Sequence, residues 1–192
     1  MCGRYEFDPE SGSPAVRKLL EKVRVAWPDL VPVAGKREIG PGEEVAALAD
    51  DGGPKATLRR LRWGMQMGKR LVINARAETV ASRPLFRDAF HHRRCALLAT
   101  GFYEWSPAPE HRKVLFRLCD ADEFCLAAIR DASDQFVILT VPAEPPVAAV
   151  HARMPIVLRL SELLPWLRDP AFAAAALSRP GLPLQLQAEG NT

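Results

Sequence analysis

The sequence predicts an α+β fold built on a curved, mainly antiparallel, barrel-like sheet. Three observations point there: strand-like runs dominate the chain, helices are few and sharply marked, and the two do not alternate as a doubly wound parallel sheet requires. All 192 residues read as one domain, because no repeat or low-complexity linker interrupts them and the turn clusters Gly40-Pro41-Gly42 and Asp50-Asp51-Gly52-Gly53-Pro54 are short.

Taken in order, the first helix is marked by Ser13 as N-cap and Pro14 at the first helical position, and it runs to about Val25. Val16, Leu19, Leu20 and Val23 recur at helical spacing and give it one core face. Strands follow over 44–48, 57–63 and 71–75, then a helix from Pro84 to about His91. Further strands are expected over 95–100, 114–119, 124–129, 136–141 and 155–158. A helix from Ser161 to about Leu167 precedes another that Asp169 caps and Pro170 opens, running through the alanines to Leu177. The tail, 180–192, is expected to be loosely ordered.

Composition is that of a chain able to bury a real core, with 48% hydrophobic, 26% charged and 7% aromatic residues. No apolar run reaches the roughly 18 residues that a membrane span needs, and MCGRYEF lacks the pattern of a signal peptide, so a cytoplasmic protein is expected. Four cysteines, at 2, 95, 119 and 125, form no C-x-x-C pair and no regular spacing with histidine. That argues against a zinc site and a disulfide scaffold, and no metal or other cofactor is expected. Cys95, Cys119 and Cys125 lie in apolar runs and read as small buried hydrophobes.

Charge is unevenly spread. The net value is +3, yet residues 55–94 hold eleven Lys and Arg against Glu78 and Asp88, giving +9. A basic middle suits a polyanion-binding face; a solvated face is the alternative.

Cys2 stands apart because of its position. Removal of Met1, before a small residue, would leave an α-amine and a thiol on one carbon skeleton. An α-amine has a pKa of about 7.7–8.0, so part of it is nucleophilic at neutral pH and forms a Schiff base with an aldehyde. The thiol of the same residue then closes a five-membered thiazolidine ring on the imine carbon.

Such chemistry needs proton carriers and an orienting group beside the nucleophile. In Asn74-Ala75-Arg76-Ala77-Glu78, strand alternation would put Asn74, Arg76 and Glu78 on one face; an exposed edge strand is the alternative. In Gly101-Phe102-Tyr103-Glu104-Trp105 an acid sits among aromatics, where desolvation would raise its pKa, or where it is a satisfied structural carboxylate. In His151-Ala152-Arg153-Met154-Pro155 a histidine and an arginine lie on one side of a strand entrance. His91, His92 and His111 lie in polar surroundings and read as surface residues.

Together, Met1-Cys2-Gly3-Arg4-Tyr5, Arg62-Trp63-Gly64-Met65, Asn74 to Thr79, Arg94-Cys95 leading to Gly101–Trp105, and His151 to Pro155 resemble the SOS response-associated peptidase (SRAP) family of abasic-site processing proteins. The match spans residues 2 to about 167 in family order. The resemblance implies twisted sheets flanking a basic cleft, binding of single-stranded DNA that contains an abasic site, and a thiazolidine crosslink between Cys2 and the ring-opened sugar. It implies that Asn74 orients Cys2 and the sugar, that Glu104 moves protons, and that His151 assists ring opening. Arg76, Arg153 and, more weakly, Arg4 would contact phosphates. Trp63 and Trp105 would offer stacking surface, with core packing as the alternative for both.

It further implies a monomer that shields the lesion in the DNA damage response, nucleoid-associated when DNA is damaged, with Schiff-base lyase chemistry within reach. An N-terminal-nucleophile peptidase that processes Met1 is the competing enzyme reading, and a non-covalent nucleic-acid binder the third. The chain departs from the family pattern at 37–42, where Arg37-Glu38-Ile39-Gly40-Pro41-Gly42 keeps only the proline, and at Glu144, where asparagine is common. Both changes leave the reactive groups in place.

Overall fold

The computed structural model describes residues 2–10, 12–30, 37–107, 109 and 111–187. Strands β1 (Arg4–Phe7), β2 (Arg37–Ile39), β9 (Gly101–Trp105), β10 (Lys113–Leu118) and β15 (Leu184–Gln187) form one antiparallel sheet in the order β15-β10-β9-β1-β2. A second sheet holds β3 (Glu44–Ala49), β4 (Thr57–Trp63), β7 (Asn74–Arg76), β8 (Arg94–Ala99), β11 (Phe124–Arg130), β12 (Gln135–Pro142), β13 (Arg153–Pro155) and β14 (Val157–Leu158). Strands β12, β4, β3, β8 and β11 pair in sequence, and β11 pairs back to β12, so the circuit closes and leaves no edge within it. All described pairings are antiparallel except those of β12 with β4 and with β7, which agrees with the α+β, curled-sheet expectation.

The cores fill as strand alternation dictates. Between the sheets lie Tyr5, Phe7, Trp63, Leu97, Phe102, Phe116, Leu126 and Phe136, covered by the inner face of α1 (Pro14–Ala26). On the outer side of the barrel, α3 (Pro84–His92), α4 (Leu163–Arg168) and α5 (Pro170–Ala176) pack Phe86, Phe90, Trp166 and Ala173 against Ala96, Cys125, Ala127 and Ile129. Arg94 is buried between these helices. Its guanidinium donates to the carbonyls of Phe90, His91, Trp166 and Leu167, so one cation serves the C-terminal ends of α3 and α4, where main-chain carbonyls have no partner of their own.

The predicted helix starts hold: Ser13 accepts from the Val16 N–H, and Asp169 accepts from Ala171 and Phe172. Other expectations change. The strand expected over 71–75 is two strands, because the chain first folds back as the hairpin β5 (Met65–Met67)–β6 (Arg70–Val72) and only then joins β12 as β7. Gly64, at φ +113°, redirects the chain from β4 into β5; a Cβ there would meet the Leu71 side chain at 2.6 Å. The tail expected to be loose carries β15, which pairs with β10; positions 188–192 lie outside the described residues. Cys95 and Cys125 are buried as expected, but Cys119 is exposed, since it lies just past the end of β10.

Candidate functional site

Four segments far apart in sequence meet at the N-terminal end of β1. Asn74, the first residue of β7, donates its Nδ2 to the main-chain carbonyl of Cys2 at 2.9 Å. Its Oδ1 is buried and has no hydrogen-bond partner among the described residues, so an acceptor is held ready beside Cys2. Cys2 itself is 0% exposed, and its Sγ lies 3.8 Å from the Arg4 carbonyl. Burial and the Glu104 carboxylate both push the Cys2 thiol well above its ordinary range, so the sulfur is held as a thiol.

Glu104 is 1% exposed within β9 and its Oε2 lies 3.9 Å from Nδ1 of His151. Burial raises its carboxyl above the usual carboxylate range, opposed in part by His151. His151 follows a 3₁₀ turn at Val147–Ala149, and its Nδ1 is 3.0 Å from both the N–H and the carbonyl of Arg153. A neutral ring accepts the N–H and a protonated one donates to the carbonyl, so Arg153's backbone serves the ring in either state. The expected histidines 91, 92 and 111 are exposed.

The other predicted residues divide. Arg76 ends β7 exposed, with no ion pair among the described residues. Arg153 is engaged: its guanidinium pairs with both carboxylate oxygens of Glu78 and donates to the Thr140 carbonyl. Glu78 does not share a strand face with Asn74 and Arg76, because the chain leaves β7 at Arg76 and turns through the short helix α2 (Ala77–Val80); there its pairing with Arg153 holds its carboxyl below the usual range. Arg4 pairs with Glu38, Nε to Oε1 at 3.2 Å.

Trp63 takes the packing alternative. It is 0% exposed, stacks on Phe136, meets the Tyr5 ring at a tilt, and donates its Nε1 to the Ile73 carbonyl at 2.9 Å, so it offers a base no face. Trp105 is half-buried at the end of β9. Register sets it opposite Lys113, and alternation gives it the sheet face of Tyr103, away from Glu104.

Several cations of the +9 segment are already engaged. Arg59 pairs with Asp51 and Asp134, Arg60 with Asp29 and Glu44, and Arg93 with Asp88, while Arg94 is buried. Arg62, Lys69, Arg70 and Arg76, along the stretch joining Trp63 to the site, carry no ion pair among the described residues.

One group was missed in the sequence. Glu6 is buried and accepts from Tyr103 Oη at 2.8 Å, from Thr100 and from Arg117, tying β1, which follows Cys2, to β9, which carries Glu104, and to β10. Its signal was the one that marked Glu104, an acid between aromatics, in Tyr5-Glu6-Phe7. Among the described residues no cluster of potential ligands could hold a metal ion, and no helix is long and apolar enough to cross a membrane.

The sequence profile of the SOS response associated peptidase (SRAP) family matches residues 1–186. The chain belongs to the SRAP family. It is 28% identical over 181 residues to the abasic site processing protein YedK of Escherichia coli, covering 88% of this chain and 80% of that one. It is 27% identical over 161 residues to the abasic site processing protein YobE of Bacillus subtilis, covering 72% and 73%. A solved phage-related protein of Bordetella bronchiseptica superposes with a TM-score of 0.68 at 26% identity, over 97% of this SRAP chain and 93% of that one. A second Bordetella bronchiseptica structure, TM-score 0.69 at 21% identity, shares the fold.

Proposed function

We propose that this SRAP protein captures abasic sites in single-stranded DNA as a covalent thiazolidine on Cys2. What supports the reading is the convergence of Asn74, Glu104 and His151 on the N-terminal segment, each with a geometry the chemistry can use.

His151 relays the C1′ hydroxyl proton to the ring oxygen as the C1′–O4′ bond breaks and the abasic sugar opens to its aldehyde. The α-amine that Met1 removal frees on Cys2 attacks C1′, and the Asn74 carbonyl oxygen, which has no other hydrogen bond among the described residues, accepts from that amine and aims its lone pair. Glu104 takes the proton that the amine sheds and returns it to the carbinolamine hydroxyl, which leaves as water. The Cys2 thiol adds across the C=N bond: sulfur bonds to C1′ and the proton passes through Glu104 to nitrogen. One water is lost overall. A carboxyl whose pKa is raised by burial suits both transfers.

The peptidase reading needs Cys2 as a thiolate, and burial beside Glu104 works against that state. Amine-first capture uses a neutral thiol and is favoured. Flanking phosphates would meet Arg76 and the cations of the β5–β6 hairpin, and single-stranded DNA exposes the sugar without the cost of unstacking. Incubating Met1-processed protein with abasic single-stranded DNA tests this: a heat-stable adduct is expected from the wild type and none from Cys2→Ala.

A further inference from the structure

Strand β1 follows the reactive Cys2 and is only four residues long, so what holds it against β9 sets where Cys2 lies relative to Glu104. Main-chain pairing sets Arg4 opposite Tyr103, Tyr5 opposite Phe102 and Glu6 opposite Gly101. A buried polar network is added on the sheet face turned away from Tyr5 and Phe7. Glu6 is 4% exposed, and its two carboxylate oxygens are divided: Oε2 accepts from Tyr103 Oη at 2.8 Å, while Oε1 accepts from the Arg117 guanidinium and, at 3.4 Å, from Thr100 Oγ1. Arg117 stands on β10, two strands from Glu6, a separation of about 9–10 Å that only a long side chain spans. It passes over Gly101: a Cβ there would lie 3.5 Å from Arg117 Cγ and 2.6 Å from Leu115 Cδ1, so the glycine keeps the crossing open. The rest of the guanidinium donates to the Thr100 carbonyl at 2.8 Å and to Gln187 Oε1 at 2.7 Å, anchoring it to the β8–β9 corner and to β15.

A buried ion pair is a poor way to gain stability, because desolvation offsets its attraction and apolar side chains of the same size would hold the strands as well. What it adds is direction: each bond to Glu6 fixes a distance between β1 and a neighbouring strand. We propose that Glu6 is a positioning residue for the capture reaction: bonded through Tyr103 and Arg117, it fixes the offset of β1 against β9 and so holds the Cys2 amine where Glu104 exchanges protons with it. The proposal rests on the covalent reading above. Tyr103 is the chain neighbour of Glu104, and Glu6 lies four positions from Cys2, so a slip of β1 past Tyr103 is a slip of Cys2 past Glu104. Attack and proton transfer tolerate little of it, since the reacting atoms must meet within about 3–3.5 Å.

The test uses Met1-processed protein and two aldehydes, glycolaldehyde and abasic single-stranded DNA, with rates expressed per folded protein as read by circular dichroism. Tyr103→Phe keeps the ring that lies under Lys113 and removes only the hydroxyl; Arg117→Met keeps the length of the side chain and removes its donors. Each should slow capture of both aldehydes about tenfold. In a Glu104→Gln background each should cost less than about twofold, because a displaced amine no longer has a proton carrier to miss. A purely structural role gives the same loss in both backgrounds. The proposal is overturned if either variant captures glycolaldehyde at the wild-type rate, or if the tenfold loss persists in the Glu104→Gln background. Failure of the wild type with glycolaldehyde and DNA alike is a different result: it would overturn the covalent reading, and this proposal with it.

Discussion

The side-chain amide of Asn74 holds the main-chain carbonyl of Cys2 at 2.9 Å, across 72 residues of chain, while its oxygen has no hydrogen bond among the described residues. Asn74→Ala removes both the tether and the waiting acceptor. An oriented polar group in a desolvated site is worth about 1–3 kcal/mol, so capture of abasic DNA should slow about tenfold or more, read as adduct against time on a denaturing gel. Asn74→Asp sets a carboxylate against the Cys2 carbonyl and should be at least as slow.

Glu104 predicts opposite effects on stability and rate. Its folded-state pKa is raised by burial, so between its unfolded and folded values the native state binds more protons than the unfolded state, and stability falls as pH rises through that window. Glu104→Gln removes this cost. It should stabilise the protein at neutral pH by about 0.5–2 kcal/mol, at about 2–4 °C of Tm per kcal/mol, and the gain should vanish below the ordinary carboxylate range. The same variant should capture DNA slowly, and its pH profile should lose the carboxyl limb and keep that of the α-amine.

The two tryptophans should separate cleanly. Trp63→Phe removes one of the two donors to the Ile73 carbonyl, which keeps the Ile138 N–H, and this should cost about 0.5–1.5 kcal/mol in chemical denaturation while the folded fraction binds DNA as before. Trp105→Ala, at a half-buried strand end, should weaken binding to single-stranded DNA about tenfold, the scale of one lost base stack, with little change in stability.

Salt dependence distinguishes the two arginines. Arg76→Ala should reduce the slope of log K against log salt by about 0.7, the value for one phosphate contact on a single strand. Arg153 meets a phosphate only by exchanging Glu78, so Glu78→Gln should tighten DNA binding severalfold in a fluorescence titration; unchanged affinity would confine Arg153 to joining α2 to β12 and β13.

Local signals carried most of the fold. Ser13-Pro14 and Asp169-Pro170 announced their helices because capping and fixed φ are properties of neighbouring residues. The strands β1, β9 and β15 were not anticipated as strands: each is short, and each is held by partners that only the tertiary fold supplies. At the site, Cys2 was legible from position alone and Glu104 from its aromatic neighbours. The division of labour among cations was not. The +9 count could not reveal that Asp29, Glu44, Asp51 and Asp134, all outside the basic segment, would return to Arg59 and Arg60. Nor could alternation foresee that the chain turns helical after Arg76 and takes Glu78 to Arg153.

The measurement that bears most directly on the whole account is peptide mapping of the adduct by mass spectrometry, on Met1-processed protein reacted with abasic single-stranded DNA, alongside Cys2→Ser with and without borohydride. The account predicts a single adduct on the N-terminal peptide at the mass of aldehyde plus peptide less one water, stable to heat without reduction. It predicts that Cys2→Ser yields an adduct only when borohydride traps the imine. An adduct mapped to a lysine, or a heat-stable unreduced adduct on Cys2→Ser equal to that of the wild type, would contradict it.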